Sequence, residues 1–222
     1  MSQLAVRRST FEGISPRNLW LGLAVIVGAP AFAAAAGYEY EWSAGTTAFV
    51  ALTPMWIAIT LQVLSLSRTY GAWIAFFGIV TLPQLGHFGE HLGQMAQIHT
   101  LDAAPKQAHG AVGALDIEWV HFIWNLWVLV GVMVLVMKFR SNPWLWATVA
   151  IGAWHMAEHV SIMLAFWDTG KPGDPGLLAK GGDIGGGINL LRPDLHFIYN
   201  LLMTAPLVAA MVHQLRRERE RT

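Results

Sequence analysis

The sequence predicts an all-α, polytopic membrane protein with six transmembrane helices, and three observations carry that expectation. Of 222 residues, 55% are apolar and 13% charged, with 11 tryptophans, a composition suited to lipid rather than water. The apolar residues gather in six runs, each near the roughly 20 residues a helix needs to cross a hydrocarbon core. The basic residues alternate in density between successive connections, as they do when loops lie on opposite sides of a membrane.

Taken in order, the first run covers about residues 19 to 37. It follows Arg7, Arg8 and Arg17 and ends in "AFAAAAG", small residues at spacing like that of a signal cleavage site, and is read as a retained helix. The second run, 46 to 66, carries Thr53, Thr60 and Gln62 but no site motif, so residues 1 to 69 read as a two-helix scaffold. The third, 71 to 99, contains "HFGEHLGQM" at 87 to 95, and the fourth, 115 to 138, contains "HFIWN" at 121 to 125. The fifth, 143 to 167, carries "HMAEHVSIM" at 155 to 163, and the sixth, 194 to 215, "HFIYN" at 196 to 200. A basic tail, 216 to 222, closes the chain.

With six spans, ten of the 14 basic residues fall on one side: Arg7, Arg8, Arg17, Arg68, Lys138, Arg140, Arg216, Arg217, Arg219 and Arg221. Lys106, Lys171, Lys180 and Arg192 fall on the other, which places both termini in the cytoplasm of a multi-pass cell-membrane protein. The connection 168 to 193 is long, rich in Gly and Pro and without helical or strand period. It reads as a solvated linker, with a lid as the alternative.

The motifs are an internal repeat. "HFGEHLGQM" and "HMAEHVSIM" share His, Glu, His and Met in register, and "HFIWN" and "HFIYN" differ at one position. Residues 70 to 140 and 141 to 215 therefore read as tandem copies of a helix pair, helices 3 and 4 and helices 5 and 6, forming a four-helix metal-binding core. At 1.5 Å of rise per residue, His87 lies about 24 Å, and His155 and His159 about 17 and 23 Å, from the cytoplasmic starts of their helices. His121 and His196 lie near the outer starts of theirs, so all these imidazoles are expected in the extracytoplasmic half.

Residues at i and i+4 share a helix face, so His87 with His91, and His155 with His159, can each offer two nitrogens to one ion. His121 and His196 would add a third. Glu118, three residues before His121, and Asp194, two before His196, are the candidate carboxylate ligands, with Pro193 standing where strict symmetry would put the second acid. Glu90 and Glu158 are the candidate catalytic carboxylates. Asn125 and Asn200, one turn deeper, and Met95 and Met163, one turn farther out, are placed to contact ligands or line a substrate cavity. His99, His109 and His213 have no counterpart in the repeat and read as surface residues. Ionisable side chains inside a membrane are costly and mark function by default.

These residues predict a metal-dependent oxidoreductase of hydroxylase or oxygenase type. It would hold iron or copper, as two ions, and act on a lipophilic or small substrate with an external electron donor. A transition-metal binding, sensing or transport protein for copper or zinc is the alternative reading. The H-x-x-E-H order also occurs in a group of zinc hydrolases, and a facing pair such as His91 and His159 can ligate haem. Zero net charge and no basic patch give no support to nucleic-acid binding, and the lack of cysteine removes thiolate ligands.

Overall fold

The computed structural model describes residues 16–112 and 118–220, with the side chains of 16–19 excluded. Arg7, Arg8, Arg221 and the predicted start of the fourth helix at 115 lie outside the described residues. Among the described residues are six helices: α1 (Pro16–Glu39), α2 (Ala44–Tyr70), α3 (Ala72–His99), α4 (Glu118–Lys138), α5 (Pro143–Thr169) and α6 (Arg192–Arg219). All six are long and apolar enough to cross a membrane, consistent with a multi-pass membrane protein. Their outward faces are apolar too, with Trp20, Phe49, Trp56, Ile123 and Trp167 among the exposed residues, a surface that fits lipid better than water.

Local chemistry sets the helix ends. The Ser43 hydroxyl caps α2 by accepting the Thr46 amide at 3.2 Å, and the Asn142 side chain caps α5 by accepting Trp144 N–H at 3.2 Å. Pro143 occupies the first turn of α5, where its missing N–H costs nothing, and Gly170 ends that helix in the left-handed conformation, φ 66°.

Helix α3 lies at the centre, packed on α1 and α2 on one side and on α6 on the other. The order continues from α6 to α5 to α4, and α4 returns to α3 only through a thin seam. Close approach of α1 and α3 depends on small residues. A Cβ on Gly89 would overlap the Val27 carbonyl, and Ala31 and Ala34 crowd the next turn at Gly93. The same two turns of α3 thus show glycine to α1 and histidine to the bundle interior.

The two halves of the bundle differ. At the end formed by the start of α3, the end of α4, the start of α5 and the end of α6, Phe77, Val132, Leu135, Leu145 and Leu207 pack into a buried apolar cluster. The histidines of the repeated motifs sit at the opposite end, where residues 100–117 and 170–191 connect the helices. The Gly-rich connection is not a loose linker. It folds on itself through Lys180 N–H to Leu190 O (2.8 Å), Ile184 N–H to Leu177 O (3.0 Å) and Ile188 N–H to Leu178 O (2.8 Å), and it buries Ala179 against α6 residues Leu195 and Tyr199. Gly and Pro hide this order from a search for period, because turns have none.

A Gly89→Leu variant is expected to force α1 from α3 and to cost about 1–3 kcal/mol, the usual penalty of overpacking. Thermal unfolding in detergent should show this as a lowered Tm, whereas Gly28→Leu, whose site is open, should leave Tm near that of the parent.

Candidate metal centre

Two groups of three histidines stand side by side: His87, His91 and His121, and His155, His159 and His196. Within each group the ligand nitrogens lie within 4.8 Å of one another, and both groups are suited to hold a metal ion. In the first, His87 and His91 face each other Nε2 to Nε2 at 3.3 Å; in the second, His155 and His159 do so at 3.2 Å. Nitrogens bound tetrahedrally about 2.0–2.1 Å from one ion stand about 3.3 Å apart, so the spacing fits a shared cation. The groups adjoin: the His121 and His159 rings stack, centroids 6.2 Å apart and planes within 7°, and His91 and His196 are 6.5 Å apart.

The partners of the outer ring nitrogens agree with this arrangement. His91 Nδ1 lies 3.2 Å from Gln94 Oε1, and Gln94 is oriented by donating Nε2–H to the Ala108 carbonyl at 2.8 Å. His196 Nδ1 lies 3.3 Å from the Arg192 carbonyl. Both acceptors require a proton on Nδ1, which leaves the Nε2 lone pair free for a cation. The Nε2 atom of His196 is buried with no hydrogen-bond partner, as are Nδ1 of His155 and of His159. For His196, whose Nδ1 carries the proton, the orphaned Nε2 acceptor is what a metal ligand looks like without its ion; the orphaned Nδ1 atoms of His155 and His159 are not the nitrogens that meet in their Nε2 pair.

The carboxylates have other partners. Glu118 receives both guanidinium nitrogens of Arg192, one at 2.8 Å, together with Gly173 N–H at 3.0 Å. Asp194 pairs with His99 at 2.8 Å. Glu90 accepts Val112 N–H at 3.1 Å, with its other oxygen 3.7 Å from His87 Nδ1. Glu158, fully buried, accepts Leu177 N–H at 3.0 Å. Each glutamate of the H-x-x-E-H motifs therefore ties down the connection that follows its own helix. At Gly176, φ 74°, a Cβ would also strike the Glu158 carboxylate. Among the described residues, imidazoles alone make up the two groups.

The asparagines brace the site. Asn125 Nδ2 donates to the His121 carbonyl at 2.9 Å and meets His159 Nε2 at 3.0 Å, linking the two groups. Asn200 donates to the His196 carbonyl at 3.0 Å. Met95 is half-buried and Met163 buried, and neither belongs to a histidine group. His99 and His109 are exposed as expected, but His213 is half-buried, with Nε2 enclosed and without a partner. Its lack of a counterpart in the repeat reads as a surface position; packing along the bundle covers it.

Sequence reasoning missed Gln84, Gln94 and Arg192. Gln84, fully buried, donates to Asn200 Oδ1 (3.1 Å) and Thr204 Oγ1 (3.2 Å) and accepts from Trp124 Nε1 (2.9 Å), joining α3, α4 and α6 beneath the histidines. A glutamine inside the apolar run "GIVTLPQLG" was the available signal, since a lone amide in lipid needs partners. Arg192 had been counted only as a loop charge.

Access differs between the groups. A vestibule of about 460 Å3 at the loop end reaches His91, His121 and His196 and is bordered by Lys106, His109 and Arg192. A smaller cavity of about 210 Å3 meets His87 and His121 from the side. His155 and His159 line neither of these cavities and are buried. No protein-family model, curated protein or solved structure matches this chain.

Removing Gln94 (Gln94→Ala) should weaken metal binding about 10–100-fold, the usual effect of losing the group that orients a ligand. Chelator competition on the purified protein measures it, with Lys106→Ala as the variant expected to bind normally. Arg192→Leu should destabilise by about 3–5 kcal/mol by leaving Glu118 buried and unpaired, and the double variant Arg192→Leu/Glu118→Leu should recover most of that loss in thermal unfolding.

Proposed function

We propose that the chain is a membrane-bound oxidoreductase whose adjoining histidine groups hold two copper ions and activate dioxygen for the oxidation of a small lipophilic substrate. One observation carries the reading: six imidazoles in two contiguous groups of three, with Glu118 and Asp194 paired to Arg192 and His99 and one oxygen each of Glu90 and Glu158 bonded to a loop amide. Iron sites that activate oxygen commonly add a carboxylate to two histidines, whereas an all-imidazole set suits copper, which also stands highest in affinity among the divalent ions. Bound there, a copper pair would supply one-electron chemistry at each ion and a joint two-electron site for dioxygen. Hydroxylation then balances as R–H + O2 + 2e− + 2H+ giving R–OH + H2O, the electrons coming from an external two-electron donor.

The protein residues divide the remaining work. The paired Nε2 atoms of His87 with His91 and of His155 with His159, joined by a ring nitrogen of His121 and by Nε2 of His196, hold the ions, His159 giving up its contact with Asn125, while Gln94 and the Arg192 carbonyl keep His91 and His196 in the tautomer that ligates. Glu90 borders both His87 and the side cavity, so it is the carboxylate placed to hold or pass a proton there. Glu158, buried and bound to the Leu177 amide, anchors its loop instead. His87, His91 and His121 form the reactive site, because all three border a cavity, as a catalytic metal's open position requires, whereas of the second group only His196 does. The tandem duplication, both termini in the cytoplasm and the histidines towards the extracytoplasmic face complete the reading. Its support is the repeated motif, the basic-residue asymmetry and the matching Nε2 pairs on α3 and α5.

A carrier that passes ions through the bilayer is the weaker reading, since the far half of the bundle is packed with Phe77, Leu135, Leu145 and Leu207. The test is metal analysis with electron paramagnetic resonance on protein reconstituted with copper. Two copper ions per chain are expected, magnetically coupled when oxidised, with one lost in His91→Ala and the other in His196→Ala. Reductant-dependent oxygen uptake should fall about 10–100-fold or more in either variant. Zinc alone, a porphyrin spectrum or no stoichiometric metal would overturn the proposal.

A further inference from the structure

The cavity beside His87 is apolar for most of its wall and lies where the bundle closes least. Leu52, Met55 and Trp56 of α2 face Val120 and Trp124 of α4 across it, and Pro30 and Pro83 contribute from α1 and α3. Its inner end is polar, formed by His87, Glu90 and His121. Trp56 and Val120 are both exposed on the apolar perimeter, so the cavity has an opening between α2 and α4, with Val112 of the α3–α4 connection at its loop side. The thin α3–α4 seam is the structural cause, because α4 leans on α5 and leaves α3 partly uncovered. This wall is also unlike the vestibule, whose border carries Lys106, Glu118 and Arg192.

We infer that this cavity is the binding site for a small apolar molecule that enters from the hydrocarbon core of the bilayer and comes to rest against His87 and His121. That the bound molecule is the substrate rests on the oxidoreductase reading; that it binds does not. Size follows from the volume. An apolar protein cavity of about 150 Å3 takes one benzene, so by proportion a cavity of about 210 Å3 takes a molecule of about eight or nine carbon atoms, an alkylbenzene or a short branched hydrocarbon. A fatty-acyl chain exceeds it. The driving force is modest, since the molecule leaves one apolar medium for another. Selectivity therefore comes from shape and from the polar end, which favours a guest with one weakly polar or polarisable edge.

Metal-free protein in nanodiscs, irradiated with a phenyl diazirine and mapped by mass spectrometry, tests this. Labelling at buried Met55 and at His87 should saturate and be displaced by ethylbenzene but not by hexadecane, while labelling at lipid-facing Phe49 should rise without saturation. Val120→Trp, a change at an exposed position, should fill the mouth and weaken saturable labelling about tenfold, equivalent to losing about two buried methylenes of contact. Leu52→Ala should extend displacement to longer alkylbenzenes. Labelling of Met55 that ethylbenzene leaves unchanged, or that Val120→Trp does not reduce, overturns the inference. Copper content and oxygen uptake of the same preparations judge the oxidoreductase reading separately, because the labelling needs neither.

Discussion

Six imidazoles enclosed at one end of an apolar bundle set the terms for everything around them. A buried ring nitrogen without a partner costs on the order of 1–3 kcal/mol, and apolar neighbours offer nothing to relieve it. Gln94 and the Arg192 carbonyl satisfy outer nitrogens of two rings, and the inner nitrogens meet each other in pairs. Nε2 of His196 is left unsatisfied, an acceptor that a cation would serve. The Gln84 and Asn125 amides follow from the same need, because side chains that must converge within 4.8 Å have to be held by bonds between helices.

Support for that end comes from two unrelated directions. From the side, α1 and α2 buttress α3, and the glycines at 89 and 93 let α1 approach until backbone meets backbone. From above, the two long connections are drawn down by Glu90 and Glu158, each accepting a backbone amide from the loop after its own helix. The glutamates lie about 100° from the histidine face, which is why they can grip the loops without competing for the position the histidines share. One motif of five residues thereby supplies both the donors and the fastening of their cover.

The two groups are built alike and situated differently. Trp124 lies over His87 and Tyr199 over His155, each at 5.2 Å, so the aromatic residue of each H-F-I-x-N motif backs the first histidine of a neighbouring helix. Yet α5 and α6 bury His155 and His159 beside the folded Gly-rich connection and leave only His196 of that group on the vestibule, while the first group lies beside the seam that α4 leaves open. Local likeness with unequal enclosure is how one group can be structural or electronic in role and the other reactive.

Helix count, the approximate helix positions and the six histidines were legible in the sequence because hydropathy acts over some 20 residues and the 3, 4-residue spacing of a helix face survives any packing. Legibility stopped at the carboxylates. Glu118 reads as a ligand from its place before His121, and nothing in the chain's order reveals that Arg192, 74 positions later, reaches it first. The Gly-rich connection reads as slack because turns carry no period, although its amides and carbonyls pair among themselves. The sequence by itself determined which elements form and which donors they carry, since those depend on neighbours a few residues apart. Only the tertiary structure decided which histidines come together, which acids are taken by other partners and which group borders the side cavity, since each depends on contacts between helices far apart in the chain.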